Sequence, residues 1–321
     1  MKNLNWKSLL SIVVIAFILL YPWLGASSYN KHLFILFFIW SIVAANWNLM
    51  MGYAGINSLG NIGFMAIGGY TAGILAKSFG VPAFLTVPLA GLVTSVIVTV
   101  ALGLPALRLS GIYIALLTLI FADSLPSVLT QTRDITGGAM GLHEIPPFYP
   151  GMDKTGAYYI CFVFFLIVLW IIYRVIHSST GMAFIALRDS ENFAYCLGVN
   201  KFKERLKVFA LSSLLTGAAG AVYVHALGDI SPTTLGIEPF LLTIAMIELG
   251  GVGTFLGPIL GAFVIVFGNE FLRLAGTLRL TLLGALICTI ILFYPGGVIQ
   301  FITALEHRVE ALLKRKTSPA A

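Results

Sequence analysis

Charge-poor apolar intervals long enough to cross a bilayer recur along this sequence, and they constrain the fold more than any other feature. A helix needs about 20 predominantly apolar residues to span the hydrocarbon core. The intervals that qualify are 8–24, 32–51, 60–77, 83–104, 111–130, 156–174, 207–228, 238–254, 256–273 and 279–296. Lys2 and Lys7 ahead of the first run, with Gly25-Ala26-Ser27 after it, give a signal-peptide reading. A retained first span is favoured, because no charge occurs between Lys7 and Lys31 and the run exceeds a usual signal core. Gly52 to Gly60 divides the two spans between Lys31 and Lys77. Gly250, Gly251, Gly253, Gly257 and Pro258 mark a turn or a broken helix within 238–273.

With 59% hydrophobic residues, 10% charged and a mean hydropathy of +0.97, a soluble domain is excluded. The predicted class is therefore an all-α integral membrane protein, a polytopic helical bundle in one domain over 1–321. The net charge of +6 is too sparse and scattered for a nucleic-acid surface and reads as orientation charge. Cys161, Cys196 and Cys288 form no CxxC pair, so neither a disulfide framework nor a zinc site follows.

With the N-terminus inside, the loop 174–207 and the tail 306–321 face the cytoplasm. They carry Arg174, Arg188, Lys201, Lys203, Arg205 and Lys207, then Arg308, Lys314, Arg315 and Lys316. The outer loops 131–155 and 229–238 lean acidic and hold Arg133 and Lys154 as their only bases, so the basic bias lies inside, as the positive-inside rule requires. Halves of 1–155 and 156–305 hold five spans each, and an odd number per half makes any relation between them an inverted repeat. "GYAGINSLGNIGFMAIGG" in one half and "LGGVGTFLGPILGAF" in the other give that repeat faint support. Gly257 and Gly261 have the spacing of a small-residue helix contact.

The stretch "TGMAFIALRDSENFAYCLGVNKFKERLK", 180–207, concentrates the scarce charge. At helical spacing Ala183, Ala186, Leu187, Ala194 and Leu197 form an apolar stripe, with Arg188, Glu191, Asn192 and Tyr195 on another face. Thr180 is the predicted N-cap, Gly198 the helix-ending residue with positive φ, and Asn200 the cap of the next helix. A passive interfacial helix would carry mostly bases, whereas this face alternates in sign and suits a protein surface.

That stretch resembles the cytoplasmic loop of ABC-importer permeases for branched-chain amino acids, the LivM/LivH family. Three further stretches fit: "GYAGINSLGNIGFMAIGGYTAGIL" (52–75), "GLPALRLSGIYIALLTL" (103–119) with "TGGAMGL" (136–142), and "LGDISPTTLGIEPFLLTIAMIELGGVGTFLGPILGA" (227–262). The second is closer to the M-type subunit than to its H-type partner. Met182 stands where the family often has Arg, and Phe193 and Tyr195 replace small residues. The resemblance implies a non-catalytic transmembrane permease subunit in the bacterial cytoplasmic membrane. Its partners would be a second homologous permease subunit, two ATP-binding cassette ATPase subunits and a periplasmic or lipid-anchored solute-binding protein. ATP and Mg would then reside on the ATPases, and the sequence itself has no Gly-Lys pair and hence no Walker A loop.

On this reading Gly181 to Gly198 is the ATPase-coupling helix. Gly181, Gly198 and the packing residues Ala186, Leu187 and Ala194 would shape it, and Arg188, Asp189 and Glu191 would supply polar contacts to a groove on the ATPase. Asn46, Asn48, Asn57, Ser58 and Asn61 cluster at the 52–60 break and, with Asp123 and Glu248, are candidates for the translocation path; the competing reading of the five is that they satisfy irregular backbone there. A urea or other amide importer shares the same pattern. An ion-coupled secondary transporter would use Asp123 or Glu248, the acids well inside spans. A channel needs no docking helix, and no nucleophile–base or metal constellation marks an enzyme. His225 and Asp229 read as a local hydrogen-bonded pair rather than a catalytic one.

Overall fold

The structure, a computed structural model, describes residues 16–300 apart from 24, 26, 110, 294 and 295. Most of the first predicted span, 8–24, and the tail 306–321 lie outside the described residues. Helices dominate: α1 (Ser28–Asn48), α2 (Asn61–Phe79), α3 (Ala83–Val98), α4 (Ile112–Gln131), α5 (Lys154–Ile176), α6 (Ser179–Asp189), α7 (Glu191–Cys196), α8 (Lys201–Leu227), α9 (Ile237–Gly250), α10 (Gly257–Phe271) and α11 (Arg279–Phe293). Among the described residues seven segments are long and apolar enough to cross a membrane, and α10 and α11 are shorter apolar helices. Each predicted span from 32–51 onward coincides with one of these within a few residues. The glycines at 250–257 separate two helices, so the turn reading of that stretch is the right one.

Local chemistry sets the ends. Ser27 caps α1 by accepting from the Asn30 amide at 3.2 Å. Asp153 caps α5 through the Gly156 amide at 2.8 Å. Gly80 and Gly228, at φ +64° and +87°, close α2 and α8 in the left-handed conformation that costs glycine little. α1 continues through a π-helical turn at Leu49–Tyr53, and α3 through another at Thr99–Gly103 into Leu104–Ala106.

Packing explains which helix is central. α8 lies against α2 and α3 and also reaches α1 and α5, while α4 is the least enclosed of the spans. Bilayer-embedded helices gain nothing from expelling lipid tails, so close backbone approach through small residues supplies the attraction. Gly68 faces Gly217, and Gly220 faces the Met65 carbonyl. Between α9 and α10, Gly261 meets the Met246 carbonyl, and a Cβ at Gly257 would lie 2.6 Å from the Gly251 oxygen. The predicted Gly257–Gly261 contact is thus present. α1, α5 and α10 join through aromatic rings, with Phe38–Tyr158 centroids 5.3 Å apart and Phe34–Phe267 5.2 Å apart. Each such pair adds about 0.5–1.5 kcal/mol beyond its buried area.

At the end of the bundle away from α6 and α7, Leu142 and Ile230 form an antiparallel bridge, with N–H···O distances of 2.8 and 2.9 Å. This ties the two loops predicted to face outward. His225 departs from its predicted pairing with Asp229. Its Nδ1 lies 2.7 Å from the Pro146 carbonyl and its Nε2 2.6 Å from Thr86 Oγ1, because the ring points inward between α3 and the 146 loop.

Candidate functional site

At the charge-rich end of the bundle the structure revises the predicted helix 181–198. Ser178, not Thr180, is the N-cap, its Oγ accepting from the Gly181 amide at 3.4 Å. Gly181 is required by the sharp corner after α5, where a Cβ would strike the Val175 and Ile176 carbonyls. The helix is not continuous. Ser190, at φ −160° and ψ 109°, ends α6 and caps α7 by accepting from the Phe193 amide at 3.3 Å. A serine hydroxyl that competes for backbone amides interrupts a helix where the apolar stripe alone would carry it on. Gly198 does adopt the predicted positive φ, +79°, and Asn200 Oδ1 does cap α8 through the Lys203 amide at 3.1 Å. Phe184, Leu187 and Ala194 form the buried side, Ala183 and Ala186 are half-buried, and Leu197 is exposed rather than part of the stripe.

The charges are paired within the chain more than the sequence implied. Arg188 Nε and Nη2 bond Asp189 Oδ1 at 2.9 and 2.8 Å, which leaves Nη1 to donate to the Gly52 carbonyl at 2.8 Å. Glu191 bonds Lys201 and, at 2.7 Å, Arg205, while Arg205 Nη1 donates to the Leu109 carbonyl at 3.2 Å. α6 is thereby fastened to the end of α1, and α7 to α8 and the 109 loop. A cleft of about 250 Å³ lies between them, lined by Gly55, Ile56, Leu187, Arg188, Glu191 and Arg205 among others.

Glycines make the first fastening possible. A Cβ on Gly55 would lie 2.8 Å from Arg188 Cγ, and one on Gly253 would lie 3.4 Å from Arg188 Nη1. Gly52 and Gly253 touch so closely that a Cβ on Gly52 would lie 2.7 Å from Gly253 Cα. Asn48 holds this junction: Nδ2 donates to the Thr254 carbonyl and Oδ1 accepts from the Gly253 amide, both at 2.8 Å.

The five residues at the 52–60 break predicted for the translocation path therefore divide. Asn48 satisfies irregular backbone, and Asn57 is exposed. Ser58 is buried and accepts from the Gly60 amide at 3.4 Å. Asn46 and Asn61 are fully buried, and the Asn46 Oδ1 and both amide atoms of Asn61 have no partner among the described residues.

Residues 31–293 match the protein family described as "Branched-chain amino acid transport system / permease component". The chain belongs to this family. It is 28% identical over 288 residues to the high-affinity branched-chain amino acid transport system permease protein LivM of Salmonella typhimurium, covering 81% of this chain and 68% of the relative. A probable branched-chain amino acid transport permease protein LivM of Methanocaldococcus jannaschii is 25% identical, over 82% of this chain and 91% of its own. The ribose import permease protein RbsC of Haemophilus influenzae is 26% identical, over 73% and 74%. No solved structure matches.

In this permease the two intramembrane acids occupy different settings. Asp123 is exposed halfway along α4, and Glu248 is half-buried near the end of α9. Neither has a partner among the described residues. Three large apolar side chains on and after α7, Phe193, Tyr195 and Leu197, are 64%, 68% and 65% exposed. Phe193 and Tyr195 are two of the departures from the family pattern, and bulk at positions usually small was the signal that marked them.

Proposed function

We propose that this permease, paired with a second homologous permease subunit, forms the path of an ATP-driven importer in the bacterial cytoplasmic (inner) membrane. Its cargo is leucine, isoleucine, valine or a similar small neutral amino acid. Two ATP-binding cassette subunits bind ATP and Mg, and a periplasmic or lipid-anchored protein delivers the substrate to the outer loops.

The observation that carries this reading is the exposed surface at Phe193, Tyr195 and Leu197. It stands beside Glu191, Lys201 and Arg205, whose charges are already paired within the chain, with Lys203 the exposed base beside them. An apolar patch flanked by neutralised charge favours a protein partner over anionic headgroups. The α6–α7 segment accordingly seats on the ATPase with these side chains, while Ala186, Leu187 and Ala194 lie behind it. Asp123 supports the pairing with a second permease. A carboxylate facing lipid at mid-span costs about 2.5–3.5 kcal/mol, so the exposed face of α4 is better placed against a partner and a wet path. Asn46 and Asn61, with unmatched amide atoms in the interior, would line that path.

Uptake of labelled leucine into vesicles containing the copurified complex tests the proposal. ATP-dependent uptake that unlabelled leucine suppresses and urea does not is the expected result. Leucine uptake without ATP or partner subunits would refute the assignment.

A further inference from the structure

We propose that Arg188 is the positioning residue that delivers movement of α6 to two turns between membrane helices, Gly52–Ile56 and Gly251–Leu256. The inference rests on the coupling role assigned above to α6 and α7. One guanidinium bridges the parts: Asp189 fixes its orientation, Nη1 binds the Gly52 carbonyl, and Gly253 packs 3.4 Å from Nη1 by its would-be Cβ. Asn48 then couples the two turns to each other through the Gly253 amide and the Thr254 carbonyl.

The two turns are the softest backbone in reach. Gly52 lies in the π-helical turn, after which local bonds such as Ile56 N to Met50 O (2.9 Å) and Ser58 N to Ile56 O (2.7 Å), with side-chain bonds from Trp47 at Ser58 and Thr118 at Leu59, hold the chain until α2 in place of a regular ladder. The other turn passes through Gly251 at φ +114° and Gly253 at φ +75°. Segments with few regular backbone bonds open before packed helices do. A push on α6 that enters at Arg188 is therefore taken up where α1, α2, α9 and α10 are interrupted. Arg188 thus contacts the membrane segments while 37% of its side chain stays exposed on the segment proposed above to meet the ATPase.

Arg188→Met keeps the apolar stem and removes every donor, and Arg188→Lys restores one. Each variant is assembled with its partner subunits in lipid nanodiscs and in vesicles. For Arg188→Met, amide exchange at Ile56 and Gly253 should quicken about tenfold, the scale of one lost hydrogen bond from a charged donor. Leucine uptake should show kcat lowered roughly tenfold with KM within about twofold, while the ATPase copurifies in the wild-type ratio. Arg188→Lys should recover part of both effects. Unchanged exchange in Arg188→Met overturns the proposal, as does a kcat loss that tracks loss of the ATPase from the complex. If the wild-type complex fails to take up leucine, the transport reading falls, while the exchange measurement still decides whether Arg188 holds the two turns.

Discussion

Alanine at Gly220 should destabilise the permease, whereas alanine at Gly268 should not, although both glycines lie within helices. At the α2–α8 crossing a Gly220 Cβ would strike the Met65 carbonyl oxygen and lie 2.9 Å from Gly69 N and 3.0 Å from Met65 C. These neighbours are main chain, so one helix must retreat from the other. Overpacking of this kind costs about 1–3 kcal/mol. Against it, alanine regains about 0.5–1 kcal/mol of helix preference over glycine. At Gly268 a Cβ meets nothing within 4 Å, so only the gain remains. Because the preference cancels between the two variants, the gap between them equals the steric cost, about 1–3 kcal/mol. Equilibrium unfolding by SDS titration in mixed micelles measures that gap directly. Equal stability of Gly220→Ala and Gly268→Ala would refute the claim that main-chain contact at this crossing holds the bundle together.

Asn48→Ala should cost about 2–4 kcal/mol in the same titration, since it removes two hydrogen bonds and strands the Gly253 amide and Thr254 carbonyl; a loss below about 1 kcal/mol would mean that water replaces the side chain. Tyr195→Ala combined with Phe193→Ala should leave the fold intact and reduce ATPase copurification about tenfold or more, as for loss of aromatic anchors at an interface; undiminished copurification would place the docking surface elsewhere. The Gly156 amide holds the Asp153 carboxyl below its usual pKa of 3.8. A depressed folded value means the cap acts fully above the unfolded pKa and fades as pH falls through the folded one. Protection of the Gly156 amide should follow that acid window and lose its pH dependence in Asp153→Asn.

The span pattern was legible because hydrocarbon tolerates little charge, so intervals between charges map onto helices. Which helix is central was not, since α4 and α8 are both apolar and differ in what their small residues touch. The break at Ser190 was written in Asp189-Ser190-Glu191, an N-cap followed by an acid in the first turn, but a stripe running from Ala183 to Leu197 masked it. The orientation of Arg188 could not be read, because its acceptor is a main-chain carbonyl that no side chain announces. Asn48 and Asn57 are the same letter on either side of one break. Only the fold distinguishes the one that braces a turn from the one that faces solvent.

α8 has 27 residues. At about 1.5 Å per residue it is roughly 40 Å long, some 10 Å more than a typical hydrocarbon core. The surplus includes the first two turns, where Lys201 and Arg205 hold Glu191 of α7. The α7 surface is therefore held beyond the hydrocarbon edge, at the level of those basic turns. Longer acyl chains bring the headgroups nearer those basic turns. The overhang of α8 thus serves as a post that carries one of the two fastenings clear of the hydrocarbon.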